Sequence, residues 1–246
     1  MTLLPNHRPL SSGNNLRNIK SIKMNLRVAS RNNKAYNNVV NKTNGRLGRC
    51  EILREHESAE RIKKVSMKLF NHKGYEATTI RDICNEIGIT APSFYYYFDS
   101  KELLYLQMIK ECEALHQAAI TEAIDSCPSQ IAEDRLNYVF KALLNFYRQH
   151  PEPYTFLLRN TLFPVSSMKS KIKEISNIWE VQFSKQIAAF LASSQKRRLP
   201  KLDQGEVIKS YHRFVIGYVL QMINGLLDTN DETAQDAWIL YWNGIK

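Results

Sequence analysis

Between Thr78 and Lys101 the chain gathers hydroxyls, phenol rings and an ammonium at spacings suited to contact with a polyanion. Ile80, Ile83, Ile87, Ile89, Phe94 and Phe98 fall at helical intervals that collect them into a small core. Thr79, Ser93, Tyr96, Tyr97 and Lys101 are then left for a ligand surface. Thr79 followed by Asp82 has the form of a capping box and opens a short helix through Ile83 and Ile87. Gly88 breaks that helix. Thr90 caps the next one, where Pro92 is tolerated because first-turn amides have no intrahelical acceptor to lose. Short helix, glycine turn, short helix is the grammar of a helix-turn-helix, whose second helix fits a DNA major groove about 12 Å wide. The chemistry expected here is hydrogen bonding to phosphates and base edges.

Around this segment the sequence closely resembles the N-terminal domain of the tetracycline-repressor (TetR/AcrR) family of bacterial regulators. The resemblance covers about residues 56–105 and is carried by several spaced elements. These are Phe70 with Gly74-Tyr75, Thr78-Thr79-Ile80, Ile87-Gly88-Ile89-Thr90, Phe94 to Phe98, and Ser100 to Leu104. It implies that Thr79, Tyr97 and Lys101 contact backbone phosphates and that Tyr95 packs and reaches a phosphate. It further implies that Ala91, Pro92, Ser93 and Tyr96 face base edges, while Arg81 is taken as a DNA contact on its charge alone. Ala91 departs from the family pattern, in which a long polar or basic side chain often stands there. No Arg, Asn or Gln lies within residues 91–97 to make a bidentate base contact, so readout is expected to lean on thymine methyls, the Ser93 hydroxyl, Tyr96 and DNA shape. The other reading of the three tyrosines is plain packing, and for Thr79 it is capping alone.

The elements that position this motif are helical almost throughout, and the fold class expected is all-α. Ala59, Ile62, Val65, Leu69 and Phe70 form one stripe of a helix starting near Arg54, with Gly74 as its C-cap. Asp99 with Glu102 suggests the cap of a longer helix reaching about Asp125. Five further helices are expected over about 129–149, 152–162, 168–194, 203–228 and 231–244. Nothing alternates with the two-residue period of strands. The expected organisation is a disordered basic arm over 1–50, a helix-turn-helix domain over 51–104 and a helical regulatory and dimerisation domain over 105–246.

The second domain matches the family only in size and helical content. The resemblance implies a small-molecule pocket there and a dimer built from the last two long helices. Tyr138, Phe146, Tyr147, Tyr154, Phe156, Phe163, Trp179, Phe183 and His212 are candidates to line such a pocket, with ordinary core packing as the alternative for each. Val215, Tyr218, Val219, Met222, Trp238 and Tyr241 are candidates for the homodimer interface, with Gly217 allowing close approach. Two recognition helices of a dimer must sit about 34–36 Å apart, or a multiple of that, to read a palindrome.

The formal charge of +10 belongs to one segment. Residues 1–50 hold ten Lys or Arg, eleven Asn and no acid, leaving 24 charges of each sign in the remainder. Such a composition cannot bury enough surface to fold, so it reads as a solvated tail or as a DNA-binding arm. Residues 51–110 carry nine basic and nine acidic residues, so DNA affinity must rest on Lys63, Lys64, Lys68, Arg81 and Lys101, or on the arm. No apolar run reaches the length of a membrane span, and the four cysteines form no metal-like spacing, which suits a cytoplasmic protein without metal or cofactor. No nucleophile, zinc or phosphate-loop motif is present, so no catalytic residue is assigned and an enzyme is not expected. The expected function is a ligand-responsive repressor, a homodimer on operator DNA with a small-molecule effector. The alternative is a helical sensor or interaction protein with a weak DNA-binding domain.

Overall fold

A computed structural model describes residues 49–194, 203–227 and 230–245, with side chains from Arg54 onward. The basic segment 1–48 and Pro200 lie outside the described residues. Nine α-helices and one short 3-10 turn make up the described secondary structure, with no strand. They are α1 (Arg49–Lys73), α2 (Ile80–Ile87), α3 (Ala91–Tyr97), α4 (Lys101–Ser126), α5 (Ala132–Gln149), α6 (Pro151–Leu162), α7 (Lys169–Ala192), α8 (Gln204–Ile223) and α9 (Asp231–Ile245).

The helix ends follow local chemistry. Thr79 and Asp82 form the reciprocal capping box of α2, and Thr90 accepts from the Ser93 amide at the start of α3. Gly88 terminates α2 in the left-handed region at φ 76°, where its N–H donates to the Cys84 carbonyl. Three boundaries differ from the sequence expectation. Ser100, not Asp99, caps α4, because its hydroxyl accepts from the Leu103 amide. Helix α1 already runs from Arg49, five residues before the expected start near Arg54. Helix α8 stops at Ile223, just before Gly225 takes a positive φ of 67°.

Helix α4 is the spine. It runs unbroken across the boundary expected between residues 104 and 105, so both expected domains share it. Its inward face, including Leu104, Met108, Ile109 and Ile120, is fully buried against α5, α6 and α7. Polar ties from α4 and α6 help hold α1 to the rest. Lys63 donates to Glu111 of α4 and Glu60 of its own helix, both at 2.6 Å. Arg159 of α6 donates to the carbonyls of Phe70 and Asn71 at the end of α1, at 3.2 and 2.6 Å.

The last two helices turn most of the residues expected at a dimer seam inward. Val215, Tyr218, Val219, Met222 and Trp238 are buried within the protomer, and Tyr241 stacks on Phe214 with ring centroids 4.3 Å apart. Their apolar face closes on α5, where Phe140 meets Tyr218 and Trp238. What these helices leave outward is Ile239 and Leu240, with Leu226 in the turn between them. No helix among the described residues is long and apolar enough to cross a membrane.

Candidate nucleic-acid interface and regulatory cavity

Helix α3 is seven residues long and is held by Phe94 within it and Phe98 at its C-cap. Phe94 is fully buried and Phe98 nearly so, their rings 5.8 Å apart. Anchoring on that side leaves Ala91, Pro92, Ser93 and Tyr95 exposed. Tyr95 is 49% exposed with its ring edge-on to Phe94, so packing does not absorb it.

The other expected contacts are partly engaged inside the domain. Tyr96 donates its hydroxyl to Glu55 of α1 at 2.6 Å, and that bond pushes the phenol pKa up to about 12. Tyr97 is half-buried and edge-on to the Tyr96 ring. Thr79 is exposed, but its amide and hydroxyl both donate to the Asp82 carboxylate at 2.8 Å. Those bonds, the amide's first, hold the Asp82 carboxyl below its usual range. Lys101 lies over the Tyr75 ring and donates to the carbonyls of Tyr75 and Thr78, at 2.8 and 2.7 Å. An ammonium has three donors, so one N–H of Lys101 remains for a phosphate. Partial burial sets its pKa below the ordinary lysine value.

Among the surrounding cations, Lys64, Lys68 and Arg81 are exposed. Lys63 is not available to DNA, because it is 7% exposed and bound by two carboxylates. Burial lowers its pKa, but Glu111 and Glu60 outweigh that and hold the ammonium above its ordinary value.

Residues 62–108 match the family model described as bacterial regulatory proteins, tetR family. The helix-turn-helix domain belongs to that family. The tetR-family segment spans the end of α1, the motif itself and the first two turns of α4. The HTH-type transcriptional regulator YerO of Bacillus subtilis is 30% identical over 109 residues, which cover 44% of this chain and 38% of YerO. The Staphylococcus aureus regulator IcaR, a negative regulator of the biofilm operon icaADBC, is 42% identical over 53 residues. That match covers 22% of this chain and 28% of IcaR, so the chain spans well under half of either relative. Among solved structures, a TetR-like regulator from Rhodococcus sp. RHA1 superposes with a TM-score of 0.61 at 20% identity, covering 81% of this chain and 98% of that one. The ketosteroid transcriptional regulator KstR2 of Mycobacterium tuberculosis gives 0.57 at 20% identity, over 77% of this chain and 95% of KstR2. These structures extend the likeness of fold beyond the tetR-family segment into the helical second half.

That second half encloses a cavity of about 90 Å³ between α4, α6, α7 and α8. Of the expected pocket residues, Tyr154, Trp179, Phe183 and His212 line it. Tyr147 stands behind the wall, stacked on Tyr154 with centroids 3.6 Å apart and hydrogen-bonded to His116 at 2.7 Å. Phe146 packs on Tyr147 and His150, and Phe156 packs between Phe70 and Tyr105. Tyr138 is exposed beside Ser126, and Phe163 is 78% exposed; neither reaches the cavity.

Sequence reasoning missed the polar side of the wall, Glu113, His116, Gln117 and Ser176. Burial pushes the Glu113 carboxyl up to about 8, against the opposing effect of a hydrogen bond from Ser176. Burial and the nearby His212 bring His116 down to about 4. The signal available in sequence was a four-residue repeat of polar residues, Glu113 and Gln117, on an otherwise apolar helix face.

Proposed function

We propose that the chain is a DNA-binding transcriptional regulator, a ligand-responsive repressor that binds a palindromic operator as a homodimer. The observation that carries this reading is the exposed α3 surface of Ala91, Pro92, Ser93 and Tyr95 on a rigidly anchored tetR-family helix-turn-helix. Phosphates are positioned by Thr79, Tyr97, Arg81 and the remaining donor of Lys101. Base edges are met by Ala91, Pro92, Ser93 and Tyr96, chiefly through thymine methyls and one hydroxyl, because no long planar donor is present. A small molecule in the cavity acts on the DNA side through α4, which carries both Glu113 at the cavity and Glu111 bound to Lys63 of α1. A ligand that prefers one spacing of the two recognition helices shifts operator affinity by its differential binding, ordinarily about 1–3 kcal/mol.

Selection of bound duplexes from a random pool tests the reading. The expected product is an inverted repeat with half-sites about one or two helical turns apart. A second reading, a sensor with a weak DNA-binding domain, draws on the internal engagement of Thr79, Tyr96 and Lys101. Failure to enrich any sequence, with no gel shift at protein concentrations of about 1 μM, would select it over the first.

A further inference from the structure

We propose that the cavity is a receptor for a compact lipophilic amine, bound as its ammonium against the Glu113 carboxylate. This rests on the reading of the second half as a regulatory domain and names the class of its effector. Two carboxylates, Glu113 and Glu180, line the cavity, and none of the described residues lining it is a Lys or Arg. Glu113 is only 6% exposed, and no cation among the described residues is bonded to it. A buried carboxyl without a cationic partner is costly to ionise, and an incoming ammonium supplies the missing charge. Trp179, Tyr154 and Phe183 provide the aromatic faces on which a cation and its hydrocarbon body are both accepted. The volume of about 90 Å³ sets the size. A dry cavity of roughly 150 Å³ takes benzene, six heavy atoms, so this one takes about four, the size of a short alkyl amine.

The groups facing Glu113 leave it as the one that responds. They are Cys112 and His116 on its own helix, Tyr147 from α5, Tyr154 from α6, Glu180 from α7, His212 from α8 and, beyond Glu111, Lys63 from α1. Burial pushes the thiol and both phenols up and both imidazoles down, so these stay neutral near pH 7. Lys63 stays charged and paired. Glu113, held up to about 8, must give up its proton when the ammonium arrives. Amine affinity therefore rises as pH goes from about 6.5 to about 8, and binding near pH 7 releases close to one proton.

The test is calorimetry on the full-length chain without DNA, using n-propylamine against two near-isosteres, neutral 1-propanol and anionic propionate. The amine is expected to bind at least about tenfold more tightly than either, the margin of a charge-assisted over a neutral hydrogen bond. Two buffers of different ionisation heat should report the released proton. Glu113→Gln should abolish the preference for the amine and the proton release while leaving the alcohol's affinity in place. Its melting temperature at pH 8 should be no lower than that of the parent, which shows that the variant folds. Equal binding of the three compounds, binding of none, or an unchanged preference in Glu113→Gln would overturn the assignment. Amine selectivity in a chain that binds no operator would support this site and overturn only the regulator reading.

Discussion

Tyr96 shows how a single side chain can be claimed by two roles. Its type and place on α3 suit a base edge, yet its hydroxyl is bonded to Glu55, forty-one residues upstream on α1. The second Glu55 oxygen is buried without a hydrogen-bond partner among the described residues, so the Tyr96 bond is what offsets the burial of that carboxyl. Tyr96→Phe should therefore lower unfolding free energy by about 1–3 kcal/mol, seen as a drop in the urea midpoint with an unchanged slope. Ser93→Ala should do the opposite. Ser93 is exposed and among the described residues its hydroxyl bonds only to the cap Thr90, so stability should change by no more than about 0.5 kcal/mol while operator affinity falls in a gel shift. Residue types at Tyr96, Thr79 and Lys101 were legible in the sequence, and so was their place in the motif. The Asp82 partner of Thr79 was legible too, but those of Tyr96 and Lys101 were not, because a hydrogen bond to Glu55 or to the Tyr75 carbonyl depends on how α1 crosses α3 and α4. No local spacing encodes that crossing.

At the scale of elements, the turn between α2 and α3 fixes the angle at which the recognition helix is presented. Gly88 closes it with φ 76°, and its amide and that of Ile89 both donate to the Cys84 carbonyl, at 2.9 and 3.0 Å. A Cβ added at Gly88 would meet no atom within 4 Å, so Gly88→Ala isolates the backbone cost. That cost is about 1–2 kcal/mol for a non-glycine residue in the left-handed region, to be read as a lowered thermal midpoint. DNA affinity should fall with it at temperatures where the turn begins to open. The helices themselves were legible because 3.6-residue periodicity and caps are local properties. Thr79, Thr90 and Gly88 act in the structure as their types suggest, whereas α4 starts from Ser100 and not Asp99 because the first hydroxyl or carboxylate to reach a free amide wins. Periodicity also cannot name the partner of an apolar face. Tyr218 and Trp238 met Phe140 inside the protomer, which is why residues expected between subunits are found in the core.

For the whole molecule, the coupled elements are α1, α4 and the cavity, and two buried titratable groups on α4 make that coupling visible as a pH dependence of folding. Glu113 has its carboxyl raised from 4.5 to about 8 in the fold. The folded state therefore holds a proton that the unfolded chain has lost, and stability falls as pH rises from about 4.5 to about 8. His116 is lowered from 6.5 to about 4, so there the unfolded chain holds the extra proton and stability rises with pH from about 4 to about 6.5. The two slopes are equal and opposite where the windows overlap, between about 4.5 and 6.5, and they cancel. Above about 6.5 only Glu113 still acts. Stability should rise across the first range, because His212 and His150 are also held below the ordinary imidazole value by burial, and then fall between about 6.5 and 8, by up to about 2 kcal/mol at 1.36 kcal/mol per pH unit. Urea unfolding at half-unit pH intervals measures this directly. In Glu113→Gln the fall above pH 6.5 should vanish, and the uncancelled His116 slope should add below it to the stability lost on acidification. A parent protein whose stability rises through pH 7 to 8, or a variant that keeps the parent's profile, would mean that Glu113 is solvated and that the cavity wall is not built as described.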